Sequence, residues 1–135
     1  MGAWGAGTFE NDTAADWAHG LDGQPNLDFV RLAMEAVLAV GGDDLDADLA
    51  CEGLAACEVI ARLRGNWGER SPYNETVDNW VVAHPLKPDA DVVGMAQQVI
   101  DRVLGQPSEL RELWEEAESD PWIAAVEDLR YRVSN

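Results

Sequence analysis

The stretch Ala47-Asp-Leu-Ala-Cys-Glu-Gly-Leu-Ala-Ala-Cys-Glu-Val-Ile-Ala-Arg-Leu63 decides the fold. Only Asp48, Glu52, Glu58 and Arg62 are charged, so apolar residues cover nearly every side of the helix it would form. A helix apolar all round is buried among others. Its many alanines allow neighbours to approach closely, and it is expected to be the hub of the core.

Helical signals extend from this segment in both directions. Before it, Asn11 or Asp12 can cap a helix that carries Ala15 and Trp17 to Gly20. Asn26 can cap a second, with Leu27, Val30, Met34, Val37 and Leu38 on one stripe, ended by Gly41-Gly42. After it, Gly65-Asn-Trp-Gly68 closes the central helix. Asn74 can cap a short fourth with Val77, Trp80, Val81 and His84 on one face, stopped by Pro85. Asp89 caps a fifth, in which Val92, Ala96, Val99 and Val103 recur at helical spacing. Ser108 caps a sixth with Leu110, Leu113, Trp114 and Ala117 aligned. Asp120-Pro121 opens a seventh, with proline at the first helical position and Trp122, Ala125, Val126, Leu129 and Val133 as its stripe. No stretch alternates as a strand, and no internal repeat is present. The expectation is an all-α, compact single-domain bundle of six or seven helices over residues 1–135.

Residues 1–10 lack periodicity and read as an irregular arm rich in Gly and Trp. Gly2, Gly5 and Gly7 can take positive φ there, letting Trp4 and Phe9 turn inward. The whole opening, Met1-Gly-Ala-Trp-Gly-Ala-Gly-Thr-Phe-Glu-Asn-Asp-Thr-Ala-Ala-Asp-Trp17, resembles that of a bacterial family known as domain of unknown function 4259. Its members begin with Gly-x-Trp-Gly-x-Gly and continue Phe-x-Asn-Asp-x-Ala. Ala55-Ala-Cys-Glu-Val-Ile-Ala61 and Ser108-Glu-Leu-Arg-Glu-Leu-Trp114, with Trp122 and Leu129, agree with it as well. The resemblance spans nearly the whole chain. It implies a bacterial origin and brings no activity, cofactor, partner or catalytic residue.

Composition narrows the function classes. Of the 135 residues, 47 % are apolar, enough for a packed core, and the formal charge is −17. The 26 acids face eight arginines and the single Lys87. Binding to phosphate backbones needs clustered Lys and Arg, so nucleic acid and anionic membrane are excluded as expected partners. A basic protein or a cation suits the charge better. No apolar run approaches the ~20 residues of a membrane span, and the N-terminus lacks the pattern of a signal peptide. Ala6 stands where a myristoylation motif wants Ser or Thr. A soluble, cytoplasmic protein is expected.

The familiar chemical motifs fail in turn. Gly-x-x-Gly-x-Gly in the arm reverses the dinucleotide fingerprint and precedes any strand. In Asp43-Asp-Leu-Asp-Ala-Asp48, counting from Asp44, a calcium loop would need glycine where Leu49 stands and an acid where Ala55 stands. His19 and His84 belong to no zinc-binding spacing. Cys51 and Cys57 lie six apart, about 240° around a helix, so they cannot pair and read as small buried hydrophobes. No catalytic residue, metal ligand or cofactor is assigned.

Glu58 stands out as an acid inside a segment built for burial, where it must be paired or have a raised pKa. Arg62, one turn later, is the plain partner. The sharper expectation gathers Asp12, Asp16 and Glu58 into a polar site walled by Trp4 and Trp17, with Asn11 beside them, able to hold a cation or small molecule or to support hydrolysis. Asn11 and Asp12 have an ordinary role as helix caps. Trp67 and Tyr73, flanked by Arg62, Arg64 and Arg70, form either a recognition patch or a bend packed on the core. Trp114 and Trp122 read as core. The leading functional expectation is a protein-interaction module, of the immunity type, that neutralises a basic partner. The alternative is the small-molecule or metal site at the carboxylates.

Overall fold

A computed structural model of the protein describes residues 5–135. It consists of seven α-helices: α1 (Asp12–Leu21), α2 (Asp28–Ala39), α3 (Ala47–Leu63), α4 (Glu75–Ala83), α5 (Ala90–Leu104), α6 (Glu109–Glu116) and α7 (Ser119–Ser134). A single 3₁₀ turn, Pro72–Asn74, leads into α4. Among the described residues there is no strand; Leu45 and Ser108 form one isolated parallel bridge. None of the helices is long and apolar enough to cross a membrane. The arm expected at residues 1–10 is described from Gly5 onward; Trp4 lies outside the described residues.

Helix α3 touches all six other helices. Asp46 starts it by accepting the Asp48 and Leu49 N–H groups at 3.1 and 3.2 Å, and Gly65, at φ +87°, releases the chain after its end. Its buried alanines at 50, 55, 56 and 61 keep the neighbouring axes close. Gly53 takes this furthest. A Cβ there would lie 2.6 Å from Val37 Cγ2 and 3.1 Å from Val99 Cγ1, on α2 and α5. Both valines are stiff at χ1 and fully buried. Gly53→Ala is therefore expected to cost about 1 kcal/mol in urea unfolding, because overpacking exceeds the gain in helix propensity. A stabilised variant would show that α2 and α5 can move apart freely.

The other termini follow local chemistry, with several differences from expectation: Leu27 rather than Asn26 stands at the N-cap of α2, and Asn74 precedes α4 without a side-chain cap bond. Asn11 caps α1, its Oδ1 accepting the Ala14 N–H at 2.8 Å, and Asp89 caps α5 through the Val92 N–H at 2.9 Å. Ser108 precedes α6 but makes no side-chain cap; its Oγ is buried without a partner. The Glu109 N–H goes to the Leu45 carbonyl at 2.9 Å, and the Leu45 N–H reaches Pro107 O at 3.2 Å. Helix α7 begins at Ser119, so Pro121 is its third residue rather than its first. Gly7, near Gly5 in the arm, does not use positive φ. The carboxylate of Glu10 lies against both, accepting the Gly7 N–H at 3.0 Å, where a Cβ would collide with it.

Candidate functional site

Two arrangements lie on either side of the N-terminal segment: a buried ionic cluster and an apolar cleft.

The cluster centres on Glu58 and Arg62, which are 5 % and 2 % exposed. Glu58 is paired with Arg62 on the next turn of α3, as its spacing suggested. Arg132 of α7 grips the same carboxylate in a fork, Nη1 to Oε2 and Nη2 to Oε1, both at 2.9 Å. The Thr8 hydroxyl donates to Oε1 at 3.0 Å. Arg62 also donates through Nε to Asp78 Oδ1 at 2.8 Å and through Nη2 to the Glu69 carbonyl at 3.2 Å. Its guanidinium lies 5.8 Å from the Phe9 ring centroid. Asp128, one turn before Arg132, accepts from its Nε at 2.8 Å. Gly68 gives the Arg132 guanidinium its place, since a Cβ there would fall 2.8 Å from Cζ. The cluster thus ties the N-terminal segment, α3, α4, the 65–71 loop and α7 together.

Burial alone would push the Glu58 pKa up. The Arg132 hydrogen bonds, the charges of Arg62 and Arg132 and the Thr8 bond outweigh it and hold the carboxyl below its usual range. Burial works against the charge of Arg132 too, but Glu58 and Asp128 raise its pKa. Both oxygens of Glu58 are occupied by donors. This is the chemistry of a structural clasp, with a carboxylate held ionised.

Asp12, Asp16 and Glu58 do not share a cavity. Glu58 borders a polar hollow with Thr8, Arg62 and Arg132. Asp16 edges a shallow groove with Trp17, Phe29 and Glu52, and Asp12 is exposed at the start of α1. The reason is helical phase. Glu52, which borders the Asp16 groove, lies six residues before Glu58, about 240° around α3 and ~9 Å along it. Trp17 is buried and stacks on Phe29, centroids 5.2 Å apart, as core between α1 and α2. Asn11 acts as the α1 cap. No group of three His, Cys, Asp or Glu side chains among the described residues is placed to hold a metal ion.

The cleft lies where the segment from Gly5 to Thr8 crosses α3, α6 and α7. Its volume is about 200 Å³. Leu54, Leu110, Leu113, Trp114, Trp122 and Val126 form its apolar walls, and Asn11, Thr13, Asp48 and Glu109 bring polar groups to it. The two indoles are stacked, 6.5 Å between centroids and 7° between planes. Trp114, expected in the core, is only half-buried, because the eight-residue α6 covers the bundle with one edge. Glu109 is fixed by the Leu45–Ser108 bridge: its Oε1 accepts the Ala47 N–H at 2.8 Å. Asp48 accepts the Thr13 hydroxyl at 2.9 Å.

Cys51 also borders the cleft. Burial, with Asp48, Glu52 and Asp46 adding to it, pushes this thiol up to about 12, so it stays protonated at neutral pH. Cys57 is fully buried and raised further by burial and Glu58, its Sγ donating to Ala96 O at 3.5 Å. Both are free and behave as small core residues. In the 65–74 region, Trp67 packs on the core with Arg70 over its face at 4.5 Å, and Tyr73 is exposed. Arg62 lines a hollow with Tyr73, its donors engaged by Glu58, Asp78 and the Glu69 carbonyl.

Arg132 and Asp78 had no assigned role in the sequence. Arg132 sits on α7 beside Val133 and three residues after Leu129, at the border of a buried stripe, which marks it as half-buried without indicating a partner.

Fold and site together define an acidic all-α domain, clasped by a buried ion cluster and bearing an apolar cleft with acids at its edge. The chain belongs to the family described as domain of unknown function (DUF4259), whose model matches residues 2–125. No curated protein and no solved structure matches it significantly.

Proposed function

We propose that this chain is a non-catalytic interaction domain of the bacterial cytoplasm that binds, and in the manner of an immunity protein neutralises, a basic protein partner. The observation that carries this reading is the internal use of its positive charge. Six of the eight arginines spend donors on the chain's own groups: Arg62, Arg70 and Arg132 around the ionic cluster, Arg130 on Asp101, Arg111 on Glu115 and Leu104 O, and Arg102 on Gly41 O and Asp43 O. Among the described residues, ion pairs involve Glu58, Asp78, Asp101, Glu115 and Asp128, leaving most of the 26 acids uncompensated. Acids crowd at the start of α3, where burial together with Asp48 and Asp46 raises the pKa of Glu52. Such a field steers a positively charged partner and raises its association rate.

The test is affinity capture from lysate of the native host with the tagged full chain. One stoichiometric basic protein is expected at ~0.05 M salt, with binding weakened at least about tenfold at ~0.5 M, where the Debye length falls well below 10 Å. A complex indifferent to salt, or no specific partner in either condition, would remove the electrostatic reading.

A further inference from the structure

The acids of this surface surround an opening that electrostatics alone does not use. The cleft beside Gly5 is walled by Leu113, Trp114, Trp122 and Val126, and among the described residues that line it none is basic. Asp48 and Glu109 stand at its edge, each already oriented by one hydrogen bond from the protein, to Thr13 Oγ1 and to the Ala47 N–H. Each keeps a second carboxylate oxygen that accepts no bond from the described residues. Fixed acids lose little freedom when they meet a cation. The volume, about 200 Å³, is decisive for size. Cavities of ~150 Å³ hold a benzene molecule, whereas sites for drug-sized ligands start near ~300 Å³. A single aromatic ring on a short stem matches this opening. Binding hot spots are commonly one large side chain seated in such a pocket, ringed by polar contacts.

We propose that this cleft receives one aromatic side chain of the basic partner, with lysine or arginine residues on either side of it in sequence meeting Asp48 and Glu109. The inference rests on the basic-partner reading above and specifies where that partner docks. Its occupant is a peptide segment, because charge complementarity at the edge asks for cations flanking the ring and the cleft has room for the ring only.

The probe is the peptide Ac-Lys-Lys-Phe-Lys-Lys-NH2, titrated into the full-length chain by calorimetry and by following the indole N–H resonances of Trp114 and Trp122. Saturable binding with shifts at both indoles is expected. Serine in place of phenylalanine should weaken it at least about tenfold, since a buried ring is worth more than one decade in affinity. The isosteric pair Asp48→Asn with Glu109→Gln keeps both hydrogen bonds and should weaken binding roughly fivefold to tenfold. The charge-matched control Asp22→Asn with Asp28→Asn, at the far end of α1 and the start of α2, should change it less than about twofold.

Equal binding of the serine peptide, unshifted indoles, or equal losses in the two variant pairs would each overturn the cleft as the docking site. Phenethylamine binding as tightly as the peptide would make it a small-amine site instead. Binding gained only on removing residues 1–4 would assign the cleft to the chain itself. The two readings fail separately. A native partner held salt-sensitively by the Asp48→Asn, Glu109→Gln chain as well as by wild type overturns the cleft alone. Peptide binding without any salt-sensitive native partner removes the broader reading.

Discussion

Replacing Glu58 with alanine is expected to destabilise the protein by about 3–5 kcal/mol, the cost of removing one partner from a buried ion pair. The change should appear as a lower urea midpoint with an unchanged slope. Glu58 is the junction of the cluster: its two oxygens accept from Arg62, Arg132 and Thr8. Without it, Arg62 keeps Asp78, but the fork of Arg132 faces an empty space and retains only Asp128. The damage should therefore be greatest at the seam between α3 and α7 and at the segment around Thr8, where amide exchange would accelerate first. Glu58→Gln, which keeps the shape and one acceptor, should fall between alanine and wild type. A loss below about 1 kcal/mol for alanine would mean that solvent reaches the cluster and screens it as it screens surface pairs.

The second large effect is a stability maximum at mildly acidic pH. Two opposing groups of carboxylates produce it. The pKa of Glu58 is held below its ordinary 4.5 in the folded state. Its stabilising contribution is complete above that value and is lost as pH falls below it, through the folded-state pKa. Glu52 is shifted the other way, raised from 4.5 by burial first and then by Asp48 and Asp46. Its charged form is disfavoured by folding, so stability grows as pH falls through its raised pKa. The net charge of −17 adds to the same trend, since titrating exposed acids relieves self-repulsion. Thermal unfolding is expected to shift upward from pH 7 to about 5 and to collapse below about 4. Salt at pH 7 should reproduce part of the rise by screening. In Glu58→Gln the rise should persist while the acid collapse becomes shallower. A profile that declines steadily from neutral pH would contradict the repulsion, and an unaltered acid limb in the variant would free Glu58 from any role in it.

The elements of this fold were legible because each has a local cause. The apolar girdle of residues 47–63 demanded a central helix, and α3 is that helix, touching all the others. Asn11, Asp46 and Asp89 sit where a side-chain oxygen can take the first free N–H groups. Ser108 looked the same in sequence and makes no side-chain cap; the backbone on either side of it is paired with the distant Leu45. A cap is local; a bridge between Ser108 and Leu45, 63 residues earlier in the chain, is not.

The same division holds for the sites. That Glu58 needed a cation was readable from a charge on a buried helix, and Arg62 at i+4 was the cation in reach. That Arg132 would double the grip, through a glycine at position 68 that leaves room for its guanidinium, depends on how α7 docks. Trp114 belongs to an apolar stripe in sequence, yet α6 is too short to bury it, and the result is a cleft wall rather than core. The sequence by itself determined the helices, the charge, the family resemblance and the demand for a partner at Glu58, because each follows from composition or from spacings within a few turns. Only the tertiary structure decided that Asp16 and Glu58 diverge, that Arg132 closes the clasp, and that Trp114 meets Trp122 beside Asp48 and Glu109. Those outcomes turn on the phase and packing of helices far apart in the chain, which no periodicity records.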